Sequence, residues 1–308
     1  MNWMRMGSVA LALVGAAATG CGDEEKPTNT SQHPLCRPSA QIPTDTFVPL
    51  RGGYPQIQGE DPHVFEAVPF PPENPYSADK ALLGKILFWD EQMSSDNTMA
   101  CGTCHVPSAG GADPRATTAG HPGPDGILGG IDDIHGARGV ARCEIQNGQV
   151  VRKDDATFGP NPQFTGRKAP SYLDAMYYPD IFWDGRATSQ FTVPNTGEVA
   201  ITRGGALESQ SMGPPLSDAE MACENRTWDD IEAKLEVVVP LALATELPDD
   251  MARILCDYPS YPELFAWAFP NDPWSAQRTW RSRSRLTSVR WSRTRLPSMS
   301  GPPATRPR

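Results

Sequence analysis

The chain has 308 residues, with 27 basic and 37 acidic side chains, 32 Pro and 27 Gly, which allows one large or two modest domains rich in loops. Nine of the basic residues are arginines within 275–308, a stretch without Asp or Glu, so the first 274 residues hold 18 basic against 37 acidic side chains, a net charge of -19. A body this acidic excludes the basic footprint that nucleic acid requires.

In chain order, residues 1–20 read as an export leader: Arg5 is followed by an apolar stretch, 9–18, that is too short to span a bilayer. No later segment is apolar enough to span one. Ala18-Thr19-Gly20-Cys21 resembles the bacterial lipoprotein cleavage box, so Cys21 is expected to carry lipid; ordinary cleavage with Cys21 as an odd thiol is the alternative. The expected location is periplasm-facing and membrane-anchored, or else soluble in the periplasm. Residues 21–75 read as a tether and irregular leader. His33 and His63 within it, like His135 further on, are expected at the surface or in loops.

Order is expected from near Ser77, the N-cap of a helix over 77–89 with Ala81, Leu82, Ile86 and Leu87 at helical spacing. Long Gly-, Pro- and Asp-rich loops fill 107–165. Short helices are expected over 101–105, 170–177, 217–224, 227–237, 248–258 and 261–269, and the alternation over 197–202 predicts a small hairpin between Phe191 and Leu207. Export implies an oxidising compartment, in which Cys36, Cys143, Cys223 and Cys256 form an even set with three pairings open. Cys223–Cys256 with Cys36–Cys143 is the expected choice. Asp125, Asp132 and Asp133 fit no known calcium loop and read as solvated acids.

Cys101-Gly102-Thr103-Cys104-His105 is C-x-x-C-H, the attachment sequence of a c-type haem. One helical turn places both sulfurs along the porphyrin edge while His105 projects under the iron. Zinc would want a second ligand pair, and a thioredoxin-like pair would follow a βαβ strand; the sequence has neither. The expected cofactor is covalently bound haem c at one site, held by Cys101, Cys104 and His105.

Around this motif the chain resembles the bacterial di-haem cytochrome c peroxidases and their MauG-type relatives. The matching blocks are Leu83-Gly84-Lys85-Ile86-Leu87-Phe88, Ser94-Ser95-Asp96, Gly110-Gly111-Ala112-Asp113, Arg167-Lys168-Ala169-Pro170-Ser171 and Phe182-Trp183-Asp184-Gly185-Arg186-Ala187. The resemblance implies a mainly α, cytochrome c-like haem domain over 76–274, with long loops and a small β-hairpin insertion. It also implies a cytochrome-c peroxidase, which reduces hydrogen peroxide to water with electrons from a small cytochrome c or cupredoxin. His121, sixteen residues after His105, would be the second axial ligand that leaves before peroxide binds; a solvated loop histidine is the alternative.

Gln210 and Glu220, the latter followed by Met221, match the family's catalytic pair. The carboxylate would move the peroxide proton and the amide would orient the substrate. Read without the resemblance, Ser217-Asp218-Ala219-Glu220 is a helix capping box. Trp183 matches the tryptophan that relays electrons; a core aromatic is its alternative. About seventeen extra residues between Trp183 and Gln210, the hairpin among them, are expected to decorate the haem edge. Calcium belongs to the full-length family and finds no support in this sequence.

The family carries a second C-x-x-C-H domain, and none occurs in these 308 residues. Residues 275–308 are compositionally foreign, and shifting 278–299 by one nucleotide can restore the family's helix end and turn. The tail is therefore expected to be a frameshift product; a basic arm for anionic lipid or nucleic acid is the competing reading. The alternatives to a peroxidase are a MauG-like oxidase acting on a protein, a mono-haem electron-transfer protein, and an inactive fragment.

Overall fold

The computed structural model describes residues 33–38, 68–117, 120–194 and 196–270. The leader 1–20, Cys21, His63 and the tail 275–308 lie outside them. Among the described residues no helix is long and apolar enough to cross a membrane.

The core is built on α1 (Ala78–Trp89), which begins as expected at Ser77, whose hydroxyl accepts from the Lys80 N–H at 3.2 Å. Its Leu83, Ile86 and Phe88 have no exposed surface. Against it pack α5 (Asp249–Asp257) and α6 (Tyr261–Ala268), which supply Leu255, Tyr261 and Phe265 to the same cluster that α4 (Trp228–Leu235) joins through Ile231. Burying each such side chain contributes about 1.5–3 kcal/mol, so these helices hold the domain by packing rather than by propensity. Reciprocal caps at Thr227–Asp230 and Ser260–Glu263 fix where α4 and α6 begin. Asp90, at the end of α1, is 1% exposed and accepts from Tyr261 Oη at 2.6 Å, Leu241 N at 2.8 Å and Gln92 N at 2.9 Å. A buried carboxylate so saturated ties α1 to α6 and to the chain leading into α5.

Two expected helices are absent and one unexpected helix is present. Only a single turn, Ala175–Tyr177, forms within 170–177. Residues 217–224 make turns because the N–H groups of Glu220, Met221 and Ala222 all point at the Ser217 carbonyl, while Glu220 O and Met221 O accept from Val140 and Ser95. Carbonyls engaged sideways cannot propagate a helix. The unexpected helix is α3 (Ala206–Ser211).

The stretch 107–165 holds two antiparallel ribbons instead of loops alone. β1 (Arg138–Ala141) pairs with β4 (Pro162–Phe164), and β2 (Cys143–Gln146) with β3 (Gln149–Arg152). The expected hairpin is β5 (Phe191–Thr192) with β6 (Val199–Ile201). It does not merely decorate an edge, since Phe191 and Ile201 sit in the central cluster. The described residues thus form six α-helices with three two-stranded sheets.

The disulfide pairing also differs from expectation. Cys36 bonds Cys256, and Cys143 bonds Cys223. Residues 33–38 lie on α5, where Arg37 N donates to Ala252 O at 3.2 Å, and β2 lies beside 217–224, where Glu224 N donates to Cys143 O at 2.8 Å. His33, expected near the surface, is 3% exposed: its Nε2 is 2.7 Å from Pro240 O, Leu35 N donates to its Nδ1, and burial lowers its pKa. His135 is exposed as expected.

Candidate functional site

The C-x-x-C-H residues occupy α2 (Cys101–Cys104) and its C-cap, His105. Thr103 Oγ1 accepts from Ala100 N at 2.9 Å and His105 N donates to Cys101 O at 3.0 Å, closing the single turn. Gly102 meets the ring of Trp89 from α1, where any Cβ would overlap the indole. The helix is therefore seated directly on the core.

After it, Gly110 and Gly111 have φ of 67° and 76°, which only glycine adopts without strain. They turn the chain so that Val106 and Ala112 pair and the Gly111 carbonyl comes 3.1 Å from His105 Nδ1. Asp113, with no exposed surface, accepts from Arg115 through both oxygens, and the Arg115 guanidinium also donates to Thr103 O at 3.1 Å. With Nδ1 on the Gly111 carbonyl, the other ring nitrogen is the one that could take a metal, in place of the hydrogen bond that the ring also makes with the Pro170 carbonyl. Burial lowers the His105 pKa and favours the neutral imidazole that a metal needs.

Cys101, Cys104 and His105 open onto a cavity of about 870 Å³ that Gln210, Glu220 and Trp183 also line. That size lies within the range of roughly 300–1,000 Å³ usual for cofactor sites. Cys101 and Cys104 are the free cysteines among the described residues, and burial pushes both thiols up to about 12, with the Glu220 charge adding to each. Two buried donors on cavity-lining residues, the Tyr172 hydroxyl and Arg138 Nε, have no hydrogen-bond partner. Haem carries carboxylates that would accept from such groups, so the donor set and the two thiols fit it.

Gln210 projects from α3, which is anchored where Ser209 Oγ donates to Thr188 O at 3.0 Å and Asn74 Nδ2 donates to the fully buried Glu208 at 2.8 Å. The sequence signal for α3 is the helix propensity of Ala-Leu-Glu-Ser-Gln, without a side-chain cap to mark where it begins. Glu220 stands on the 217–224 turns, not on a capped helix. Burial raises its pKa, and hydrogen bonding from the Ser217 side chain and the charge of Arg186 oppose the rise.

Trp183 is 81% exposed at the cavity mouth with Arg167 5.4 Å from its ring centre, so it is no core aromatic. The loop presenting it is closed by Ile181 N to Ala187 O at 2.9 Å and runs through Phe182 at φ 74°, a strained value for a bulky residue. The structure does not bring His121 to this cavity. Its backbone pairs with Ile134, and its ring lies edge-on to Phe158 and Phe164 at 5.1 and 6.1 Å. The three acids of the neighbouring loop cap its turns: Asp125 accepts from Ile127 N, Asp132 from Asp125 N and Asp133 from Gly129 N.

A family model described as di-haem cytochrome c peroxidase matches residues 78–285. The chain belongs to that family. It is 29% identical to cytochrome c peroxidase Ccp of Escherichia coli (strain K12) over 168 residues, 54% of this chain and 24% of that protein. It is 44% identical to the methylamine utilization protein MauG of Methylophilus methylotrophus over 124 residues, 40% of this chain and 25% of that protein. A solved MauG-like protein associated with microbial copper homeostasis is 18% identical with a TM-score of 0.38, covering 78% of this chain and 47% of that chain. This peroxidase-family chain spans about a quarter of the length of these curated relatives.

The family blocks quoted above have structural work in this peroxidase-family chain. Gly110–Asp113 orients His105. Ser95 ties the haem motif's approach to the Glu220 turns, its N–H donating to Met221 O at 2.8 Å and its hydroxyl accepting from Cys223 N at 2.8 Å.

Proposed function

We propose that this chain carries the peroxidatic haem site of a cytochrome-c peroxidase, reducing hydrogen peroxide to water with electrons from a small redox protein. The observation that carries the reading is one cavity lined by two free thiols, His105, Gln210 and Glu220. Cys101 and Cys104 would hold the haem as thioethers and His105 its iron; the haem supplies the two-electron chemistry that splits the O–O bond. Glu220 takes the proton from the inner peroxide oxygen and returns it to the leaving one, and the Gln210 amide orients the substrate and donates to the charge that develops. Trp183, exposed at the mouth, is where an electron enters. The family also implies His121 as a ligand of the resting site, which would require the 120–136 loop to differ from the arrangement described above.

The two disulfides support an oxidising compartment, and with the 1–20 leader and Cys21 they favour a periplasm-facing lipoprotein. The acidic body suits a basic donor, cytochrome c or cupredoxin, and predicts turnover that falls as salt rises. The deciding experiment is peroxide-dependent oxidation of a reduced small cytochrome by the exported, haem-loaded full chain. No turnover would sink the reading. Replacing His121 with no change in the haem spectrum would favour a MauG-like oxidase acting on a protein.

Two further outcomes are expected. Replacing both Cys101 and Cys104 by Ala abolishes covalent haem, read as loss of the haem mass from denatured protein, while a single replacement leaves one thioether. The acid limb of kcat/KM lies above the ordinary Glu value of 4.5, because the base must be ionised and burial raises its pKa. The same shift makes the stability contributed by neutral Glu220 complete below 4.5 and lost as pH rises through the folded value. A limb at or below 4.5 would remove Glu220 as the base.

A further inference from the structure

Three consecutive residues of β1 touch both halves of the cavity. The Arg138 carbonyl oxygen is 3.4 Å from Cys104 Sγ. Gly139 lies flat on the opposite turn, where an added Cβ would overlap the Ala219 carbonyl and sit 2.8 Å from Glu220 Cα. Val140 N then donates to Glu220 O at 3.0 Å. Beyond β1 the following β2–β3 ribbon and its flanking residues are fastened to the same turns by the Cys143–Cys223 disulfide, by Glu224 N to Cys143 O, and by Arg142 Nε and Lys153 Nζ on the Glu224 carboxylate at 2.6 and 3.1 Å. The partly buried Arg226 also donates to the carbonyls of Met93 at 2.7 Å and Pro215 at 3.1 Å, bracketing the turns.

We infer that the 138–153 segment, β1 followed by the β2–β3 ribbon, is a positioning device for Glu220: β1 is the spacer that sets the carboxylate against the proposed haem-attachment helix, with Gly139 as the residue that fixes the separation. This rests on the catalytic reading of Glu220 given above. Gly139 touches no substrate and acts only through Glu220. A side chain there must push away the Ala219 carbonyl, which is backbone and cannot rotate clear, so the Glu220 carboxyl moves relative to Cys104 and His105. A general base is sensitive to such movement, since a misplacement of about 1 Å can cost on the order of a hundredfold in rate. The carboxyl would also leave its present balance of burial, Ser217 and Arg186, so its titration should move with it.

The test uses the haem-loaded full chain with Gly139→Ala, and the double variant Cys143→Ser/Cys223→Ser in case the first fails to fold. Expected are a fall in kcat of about tenfold or more at unchanged KM for the donor, a displaced acid limb, and a shifted infrared band of the protonated Glu220 carboxyl. That band is assigned by its loss in Glu220→Gln and needs no turnover. A kcat, acid limb and carboxyl band all matching the parent would overturn the inference. Should Glu220→Gln be as active as the parent, the peroxidase reading fails, while the infrared shift in Gly139→Ala still decides whether the ribbon positions the carboxyl.

Discussion

Replacing Glu220 by Gln is expected to lower kcat for peroxide by about 10²–10⁴-fold, the usual worth of a positioned general acid–base group, without loss of covalent haem. The expectation follows from location: Glu220 is the acid on a wall otherwise furnished with Arg138, Arg167, Lys168 and Arg186. Gln keeps the size and the hydrogen bond to Ser217 but carries no proton to give or take. Stopped-flow mixing with peroxide, read at the haem absorbance, separates this step from electron delivery. A variant that reacts with peroxide as fast as the parent and fails only with the donor would move Glu220 out of proton transfer.

The second large effect is on stability. Replacing Cys36 and Cys256 by Ser is expected to cost about 2–5 kcal/mol, since the bond closes a very long loop of the unfolded chain. Other contacts at the same junction are weaker: Arg37 meets Asp249 at 3.2 Å, with both side chains well exposed, and such pairs contribute at most about 1 kcal/mol. His33 and Leu35 bury apolar surface only while residues 33–38 stay docked. Urea unfolding followed by tryptophan fluorescence measures the loss, and an unchanged midpoint would mean that packing alone holds this segment.

How much of this was legible depends on what each feature rests on. α1, α4 and α6 could be read because their caps and apolar periods are local, and α5, which has no side-chain cap, from its apolar period alone. The C-x-x-C-H turn carries its chemistry in five adjacent residues. The β2–β3 ribbon was missed although its signal is present: Asn147-Gly148, at φ 52° and 76°, is the two-residue turn that strand twist favours, and Val150 and Val151 follow. A reading of 107–165 as loops gave its glycines and prolines too much weight. Residues 217–224 offered a cap and a helical pattern, and lost the helix to bonds with Val140 and Ser95, distant partners that no local pattern reveals. The disulfides were out of reach for the same reason, as was the burial of His33, which depends on the Pro240 carbonyl more than two hundred residues away.

The two disulfides have a consequence for biogenesis. They are nested, 143–223 inside 36–256, and the free thiols Cys101 and Cys104, the proposed haem attachment points, lie between the first cysteine and the second pair. If the chain is exported as proposed, crossing the membrane from its N-terminus presents Cys36, Cys101, Cys104 and Cys143 before either native partner has emerged. Pairing in order of emergence therefore gives the wrong bonds, some of them consuming the haem thiols. Recovery of the native set requires thiolate attack on those first-formed bonds, so on the proposed export route the yield should rise with a disulfide isomerase and not with a stronger oxidant.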